Sequence, residues 1–412
     1  MVDHAELSAL LTPEGLRLVD ALRISSTADA ASAVSRLRRE GLSPDLVSAV
    51  VGQARLRERA RAKFGPFADR MLFTRAGLEQ ATRLAVAARH AGRFRDAGVA
   101  RVADLGCGIG GDALGFAGIG LEVLAVDADE ITAALAAYNL APFGAAARVR
   151  HGRAEETDLD GVDAVWLDPA RRTSGHSETR RIAASDYTPS LEWAFDLAGR
   201  MPTGIKLGPA FDRDDLPTDG EAQWISADGS TIELVLWSGA LARPGVRRSA
   251  LVIRGDRAAE LAAADDAPDV DPRDLGAYLH EPDGAVIRAR LIGDVARSLD
   301  AGMLAGGTAY MTSDTGRTSA FATTFRVREV LPLKTRDIDA ALKRAGIGIL
   351  EIKKRGVDID PAQFRKKLSL SGSASATLFL TRVGDRRVAV LADRVEDGEG
   401  RPGDGAQSSS PA

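Results

Sequence analysis

One cysteine, Cys107, stands in 412 residues. A single thiol excludes an internal disulfide and any thiolate metal cluster, and it fits a reducing compartment. A basic excess is lacking too: 54 Lys and Arg face 58 Asp and Glu, for a formal net charge of -4. That argues against a generally basic, nonspecific nucleic-acid binder while leaving room for a local basic patch. No run approaches the roughly 20 apolar residues that cross a bilayer. The opening MVDHAELSALLTPEG carries acids and early polar breaks where an export signal would be basic and then apolar. These absences predict a cytoplasmic chain with no membrane contact. No His, Cys and carboxylate cluster has ligand spacing, so no metal is expected. What remains is ordinary for a globular protein, 45% hydrophobic and 27% charged, long enough for two or three domains with real cores.

The most informative stretch is residues 100–129, ARVADLGCGIGGDALGFAGIGLEVLAVDAD. A β-prone run at 102–105 leads into Gly106, Gly108, Gly110 and Gly111, which let the backbone turn sharply and approach a ligand. A helix follows from about Asp112, then a second strand at 121–126. Asp127 closes that strand, where a carboxylate can accept both hydroxyls of a ribose. Gly106, Gly108 and Gly111 also satisfy GxGxxG, so spacing alone does not choose between a nicotinamide dinucleotide and S-adenosylmethionine. The charges do. A diphosphate wants helix amides and no nearby anion, whereas Asp104 and Asp112 suit the cationic amino-acid end of S-adenosylmethionine.

From Asp104 to Gly110 the sequence resembles motif I of the class I S-adenosylmethionine-dependent methyltransferases, in the form DLGCGxG. The resemblance implies a Rossmann-like α/β sheet, with Asp104, Gly106, Gly108 and Gly110 at the methionine end of the cofactor and Asp127 at its ribose. In such enzymes an acidic residue after the third strand accepts the adenine amino group. Here the third strand is expected at 147–151, and Gly152, Arg153, Ala154 and Glu155 follow. Arginine cannot accept that bond: either the Ala154 backbone with Glu155 makes the adenine contact, or adenine recognition differs here.

An almost continuous apolar run at 162–167 reads as a buried parallel strand, ending in Asp168, Pro169, Ala170, Arg171 and Arg172. This resembles motif IV of amino-methyltransferases, Asp/Asn-Pro-Pro-aromatic, in which a side-chain oxygen and the proline carbonyl orient a poorly nucleophilic nitrogen. Ala170 and Arg171 depart from it, so the ring that would stack on a base is missing. The Asp-Pro-x-Arg form is also similar to enzymes that methylate pyrimidine carbon, but those need a cysteine at the base, and Cys107 sits in the cofactor loop. Asp168, Pro169 and Arg171 are the expected catalytic residues. Arg172, Arg180 and their neighbours Arg181 and His176 form an expected substrate-facing loop.

The rest supplies scaffolding. Residues 1–70 read as helical, with Thr12-Pro13 and Ser43-Pro44 as helix starts, and an arginine-dense run at 55–63 as a solvated face. One helix is expected from Thr74 to the first strand, with Thr74, Arg75 and Gln80 over the cofactor. A fifth strand at 204–207 brings Lys206 near the active end, and strands at 224–226, 232–237 and 249–254 are expected to finish the sheet antiparallel. The methyltransferase domain is expected over 71–255, with a linker at 256–275 and a disordered tail at 396–412. Between them, 276–395 reads as an α+β domain opening with one amphipathic helix through Ile287, Leu291, Val295 and Leu299. From EPDGAVIRA through EIKKRGVDIDPAQFRKKLSLSG to ATLFLTR it resembles the THUMP-like domain that follows the methyltransferase domain in a bacterial family. THUMP domains bind RNA, so the resemblance implies tRNA or rRNA as partner. Between Lys334 and Lys367 ten Lys and Arg oppose five Asp and Glu, and Lys353, Lys354 and Arg355 are the expected phosphate contacts. Two other readings stay open: methylation of a protein or small molecule, and a cofactor-binding RNA or assembly factor without turnover. Oligomeric state is not legible.

Overall fold

The computed structural model describes residues 4–171 and 187–395. The chain divides into two units. The first runs to Leu207 and adds Asp212–Gly220 and Val235–Arg243; the second holds Gly208–Phe211, Glu221–Leu234 and the chain from Pro244 on.

In the first unit, hydroxyl caps and prolines start the helices as their spacing predicts. After α1 (His4–Leu10), Thr12 accepts the Gly15 amide at 3.0 Å and opens α2 (Pro13–Ala21). Past α3 (Thr27–Arg39), Ser43 does the same for α4 (Pro44–Phe64) through the Leu46 amide. The end of α4 is in part the solvated face the sequence suggests, with Arg55, Arg59 and Arg61 exposed, but two of its cations turn inward. Arg57 is 3% exposed, pairs with Asp20 at 2.7 Å and donates to the Met71 carbonyl. Lys63 donates to the carbonyls of Leu78, Glu79 and Ala81 at 2.8, 2.8 and 2.7 Å. That cluster explains a second departure. The single helix expected from Thr74 is two, α5 (Arg75–Gln80) and α6 (Leu84–Asp96). Ala81 is extended, and a lysine takes the carbonyls that a continuing helix would have bonded.

The sheet of this unit follows: β1 (Arg101–Leu105), α7 (Gly111–Gly118), β2 (Glu122–Asp127), α8 (Glu130–Leu140), β3 (Ala147–His151) and β4 (Ala164–Leu167). A short antiparallel ribbon comes next, β5 (Ala170–Arg171) with β6 (Tyr187–Thr188), then α9 (Leu191–Ala198) and β7 (Thr203–Leu207). β1 pairs in parallel with β2 and β4, β2 with β3, and β4 with β7. Strand order therefore reverses at β1, and the crevice at such a switch point, beyond the strands' carboxyl ends, is where open α/β sheets bind ligands. Under it lies an aromatic core. The Trp166 and Trp237 rings sit 5.8 Å apart, and a Cβ at Gly204 would come within 2.7 Å of one and 2.8 Å of the other, so only glycine lets both pack there.

The sequence correctly places β8 (Glu221–Ala227) and β10 (Arg248–Arg254) of the second unit, and β9 (Ser230–Trp237), which belongs to that unit up to Leu234 and to the first from Val235, but their expected antiparallel finish is only partial. β10 runs parallel to β8 and antiparallel to β11 (Arg257–Ala263). Asp228 and Gly229, both at positive φ, reverse the chain tightly after β8; the longer segment 238–247 then carries it back to β8's starting end. β11 occupies part of the stretch that reads as a linker. Beyond it come β12 (Tyr278–Pro282), α10 (Gly284–Arg288), α11 (Ile292–Leu299), β13 (Gly302–Met303) and β14 (Met311–Ser313). The expected amphipathic helix is thus a strand and two short helices: Asp283 caps the first, and Arg290, at φ 61°, separates it from the second. β15 (Ala322–Pro332), α12 (Thr335–Arg344), β16 (Ile347–Lys354), α13 (Pro361–Arg365), β17 (Ala374–Val383) and β18 (Arg386–Arg394) fall where expected. The sheet order is β13-β14-β12-β15-β18-β17-β16. Buried Leu378, Leu380 and Leu391 pack with Ile338 and Leu342 of α12. His280 is buried between Thr324 and Ser313, its pKa lowered to about 4 by burial, so it is a neutral core residue.

Candidate active site

A cavity of about 640 Å3 opens at the carboxyl ends of β1, β2, β4 and β7. Its floor is the glycine loop. Gly106, Gly108 and Gly110 all have positive φ. At Gly106 the requirement is doubly strict, because a Cβ would also lie 2.9 Å from the Asp168 carbonyl oxygen. The loop is tied down by Asp127, whose carboxylate accepts the Gly108 and Asp129 amides, each at 2.9 Å. Burial raises the Asp127 pKa against the pull of those two bonds. Asn139 of α8 fixes the loop's outer side, donating to the Ile109 and Leu72 carbonyls and accepting the Leu72 amide.

Asp104 lies behind the loop and is 1% exposed. Neither carboxylate oxygen meets a hydrogen-bond donor among the described residues. Burial, then the charges of Asp112 and Asp168, push its pKa well up. Asp112 is also buried, and its fate is opposite. Burial works against its charge, but His90, Lys206 and Thr82 outweigh it and hold the carboxyl below its ordinary range. Thr82 donates to one oxygen at 2.7 Å, and His90 Nδ1 lies 2.8 Å from the other. An ionised carboxylate only accepts, so His90 donates there. The His90 ring is stacked 4.4 Å from Trp166.

At the tip of β4, Asp168 and Pro169 line the cavity. Lys206, at the tip of β7, donates to Asp168 Oδ2 at 2.5 Å and to Thr82 Oγ1 at 3.1 Å. A continuous polar chain therefore runs from Asp168 through Lys206, Thr82 and Asp112 to His90.

The cavity brings together Gly106, Gly108, Asp127, Ala154, Glu155, Asp168 and Pro169. Gly110 and Asp104 support the loop from just outside the lining. Arg153 also lines the cavity and pairs with Glu155 at 3.1 Å. Arg171 lies in β5; its side chain, with Arg172, Arg180 and the rest of the arginine loop, lies outside the described residues. Lys353, Lys354 and Arg355 belong to the second unit. Lys353 pairs with Glu281 at 2.7 Å and Glu351 at 3.1 Å, and the Arg355 guanidinium lies over the Tyr310 ring. Sequence reasoning misses Thr82, His90 and Asn139, whose partners lie 22 to 124 residues away. Lys206 had a signal in its place at a strand tip. Cys107 is buried with its thiol pKa pushed well up, mainly by burial, so it is inert.

A family profile described as THUMP domain-like matches residues 322–394, and one described as a domain of unknown function matches residues 3–60. An uncharacterised S-adenosylmethionine-dependent methyltransferase of Mycobacterium tuberculosis, strain H37Rv, is 33% identical over 338 residues, covering 80% of this chain and 91% of its own. Its counterpart in strain CDC 1551 matches equally. A crystal structure of a proposed methyltransferase from Porphyromonas gingivalis W83 shares the fold at a TM-score of 0.69 and 21% identity, covering 95% of this chain and 96% of that one.

Proposed function

Since the chain belongs to the S-adenosylmethionine-dependent methyltransferases, we propose that it methylates a base nitrogen of tRNA or rRNA in the cytoplasm, its THUMP-like domain aiding RNA binding. The observation that carries this is the meeting of the glycine loop with the Asp168-Pro169 corner around one cavity, cofactor cradle and acceptor corner side by side.

The residues present fit the cofactor. Neither carboxylate oxygen of Asp104 has a partner among the described residues, and the amino group of S-adenosylmethionine would supply one. Gly106 lets the cofactor loop and the Asp168 backbone approach as a Cβ would not. Asp127, at the tip of β2, would accept ribose hydroxyls, and Ala154 and Glu155 would contact adenine. When bound, the cofactor supplies an electrophilic methyl group on a sulfonium. Asp168 and the Pro169 carbonyl would hold the acceptor nitrogen in line with it, converting a bimolecular displacement into a positioned one.

Labelled S-adenosylmethionine incubated with total RNA from a strain lacking the protein, followed by nucleoside analysis, tests the reading. A labelled base is the expected result. If label appears only in protein or a metabolite, the RNA assignment fails. Asp168→Ala should abolish transfer, roughly 10²-fold or more, and leave cofactor affinity within a few-fold.

A further inference from the structure

Resting on that reading, we infer that the acceptor is a ring nitrogen of a lactam, the N–H beside a carbonyl in guanine or uracil, and not an exocyclic amine. The inference comes from what stands beside Asp168. A purely anionic corner would suit an amine, whose nitrogen becomes positive as the methyl group arrives. This corner is not purely anionic. The Lys206 ammonium lies 2.5 Å from Asp168 Oδ2, with both side chains lining the cavity. A cation there offsets the carboxylate's field and opposes a second positive charge on the acceptor.

The same pair is matched to a lactam edge. Such an edge presents one N–H donor and one carbonyl acceptor on neighbouring atoms. Asp168 and Lys206 present an acceptor and a donor at hydrogen-bond separation. An exocyclic amine of adenine or cytosine, beside an unprotonated ring nitrogen, offers the same donor and acceptor, so the charge beside Asp168 and not the edge pattern separates the two. Two donors on the amine would compete with the ammonium for Asp168. The lactam also explains why Arg171 stands where the motif has an aromatic residue: where a charged pair reads the edge of the ring, a stacking ring is not needed for register.

The step balances. Asp168 takes the ring N–H proton, and the nitrogen's electron pair forms the new N–CH3 bond. The pair of the breaking C–S bond stays on sulfur, which becomes a neutral thioether. Negative charge that spreads onto the lactam oxygen as the proton leaves is met by Lys206, a donor aimed where charge develops. After release, Asp168 gives its proton to solvent. Thr82, which accepts from Lys206 at 3.1 Å and donates to Asp112 at 2.7 Å, is a positioning residue that keeps the ammonium at this corner.

The test uses the full-length protein with labelled S-adenosylmethionine and RNA from a strain lacking it. Label in 1-methylguanosine or 3-methyluridine supports the inference. Label in N6-methyladenosine, N4-methylcytidine or N2-methylguanosine overturns it and leaves base-nitrogen methylation standing; no labelled base nitrogen overturns both. Lys206→Met should lower kcat/KM roughly 10²- to 10³-fold, the scale of losing one donor to a developing oxyanion, and Lys206→Arg should recover part of it. A readout apart from turnover is equilibrium dialysis with S-adenosylhomocysteine saturating. Wild-type protein should retain guanosine or uridine more tightly than cytidine, and Lys206→Met should erase the preference. No preference in the wild type, or a preference unchanged by Lys206→Met, overturns the inference.

Discussion

A carboxylate buried with neither oxygen bonded costs free energy until a cation reaches it, and among the described residues Asp104 has no partner. Its pKa is raised above the ordinary 3.8, by burial first. The unfolded chain therefore loses this proton at lower pH than the folded chain does. The folded state is penalised progressively as pH rises from about 4 towards the raised folded value. Asp104→Asn removes the ionisation and with it the penalty. The cofactor-free variant should melt above wild type at pH 8 and level with it near pH 4, as differential scanning calorimetry can show. If Asp104 meets the cofactor's amino group, the same change should weaken S-adenosylhomocysteine binding roughly 10²-fold, because breaking a buried charge pair costs several kcal/mol. Equal melting temperatures at pH 8 would show that Asp104 finds a partner in solution.

Between the residues and the site stand a few elements whose joints are tertiary. The break between α5 and α6 is the plainest case. Thr82 sits in that break, and only there does it donate to Asp112 and accept from Lys206. The break is held by Lys63, whose three bonds gather the carbonyls of Leu78, Glu79 and Ala81. Lys63→Met should lower the unfolding free energy by about 2 kcal/mol, the scale of one or two charge-assisted bonds, and weaken cofactor binding several-fold. Stability falling with affinity unchanged would mean that α5 keeps its place by packing alone. This joint was not legible in the sequence, where an apolar stripe runs unbroken from Thr74 and Lys63 reads as one more solvated cation. The glycine loop, Asp127 and the Asp168-Pro169 corner were legible because each is specified within a dozen residues: a strand, a turn that needs positive φ, a carboxylate at the next tip. Thr82 and Lys206, 124 residues apart, meet only once the sheet has formed. The strand and two helices that replace the one helix expected over 279–299 have a related cause: the apolar spacing was right, and a left-handed Arg290 broke the period without leaving a Gly or Pro at that point to mark it.

Across the whole molecule the net charge is -4, so any grip on RNA depends on where cations are left to act. The second unit sorts its own. Lys353 lies between Glu281 and Glu351, and Arg355 over Tyr310, whose own pKa is raised chiefly by burial. These cations neutralise neighbours and hold the sheet. Lys354, Lys366 and Lys367 are exposed, and among the described residues none forms an ion pair. These three lysines, like the exposed Lys334 and Arg336, are available to phosphates. Reversing all three to Glu in the full chain should weaken RNA binding alike for all sequences. It should also reduce the slope of log K against log salt by two to three, about 0.7 to 0.9 for each phosphate no longer neutralised. Lys353→Met should leave affinity and salt slope near wild type while lowering the melting temperature, because Glu281 and Glu351 lose their shared cation. If the triple reversal left affinity and slope untouched, the phosphates would have to be held elsewhere. The charge excess between Lys334 and Lys367 would then serve the solubility of this domain alone.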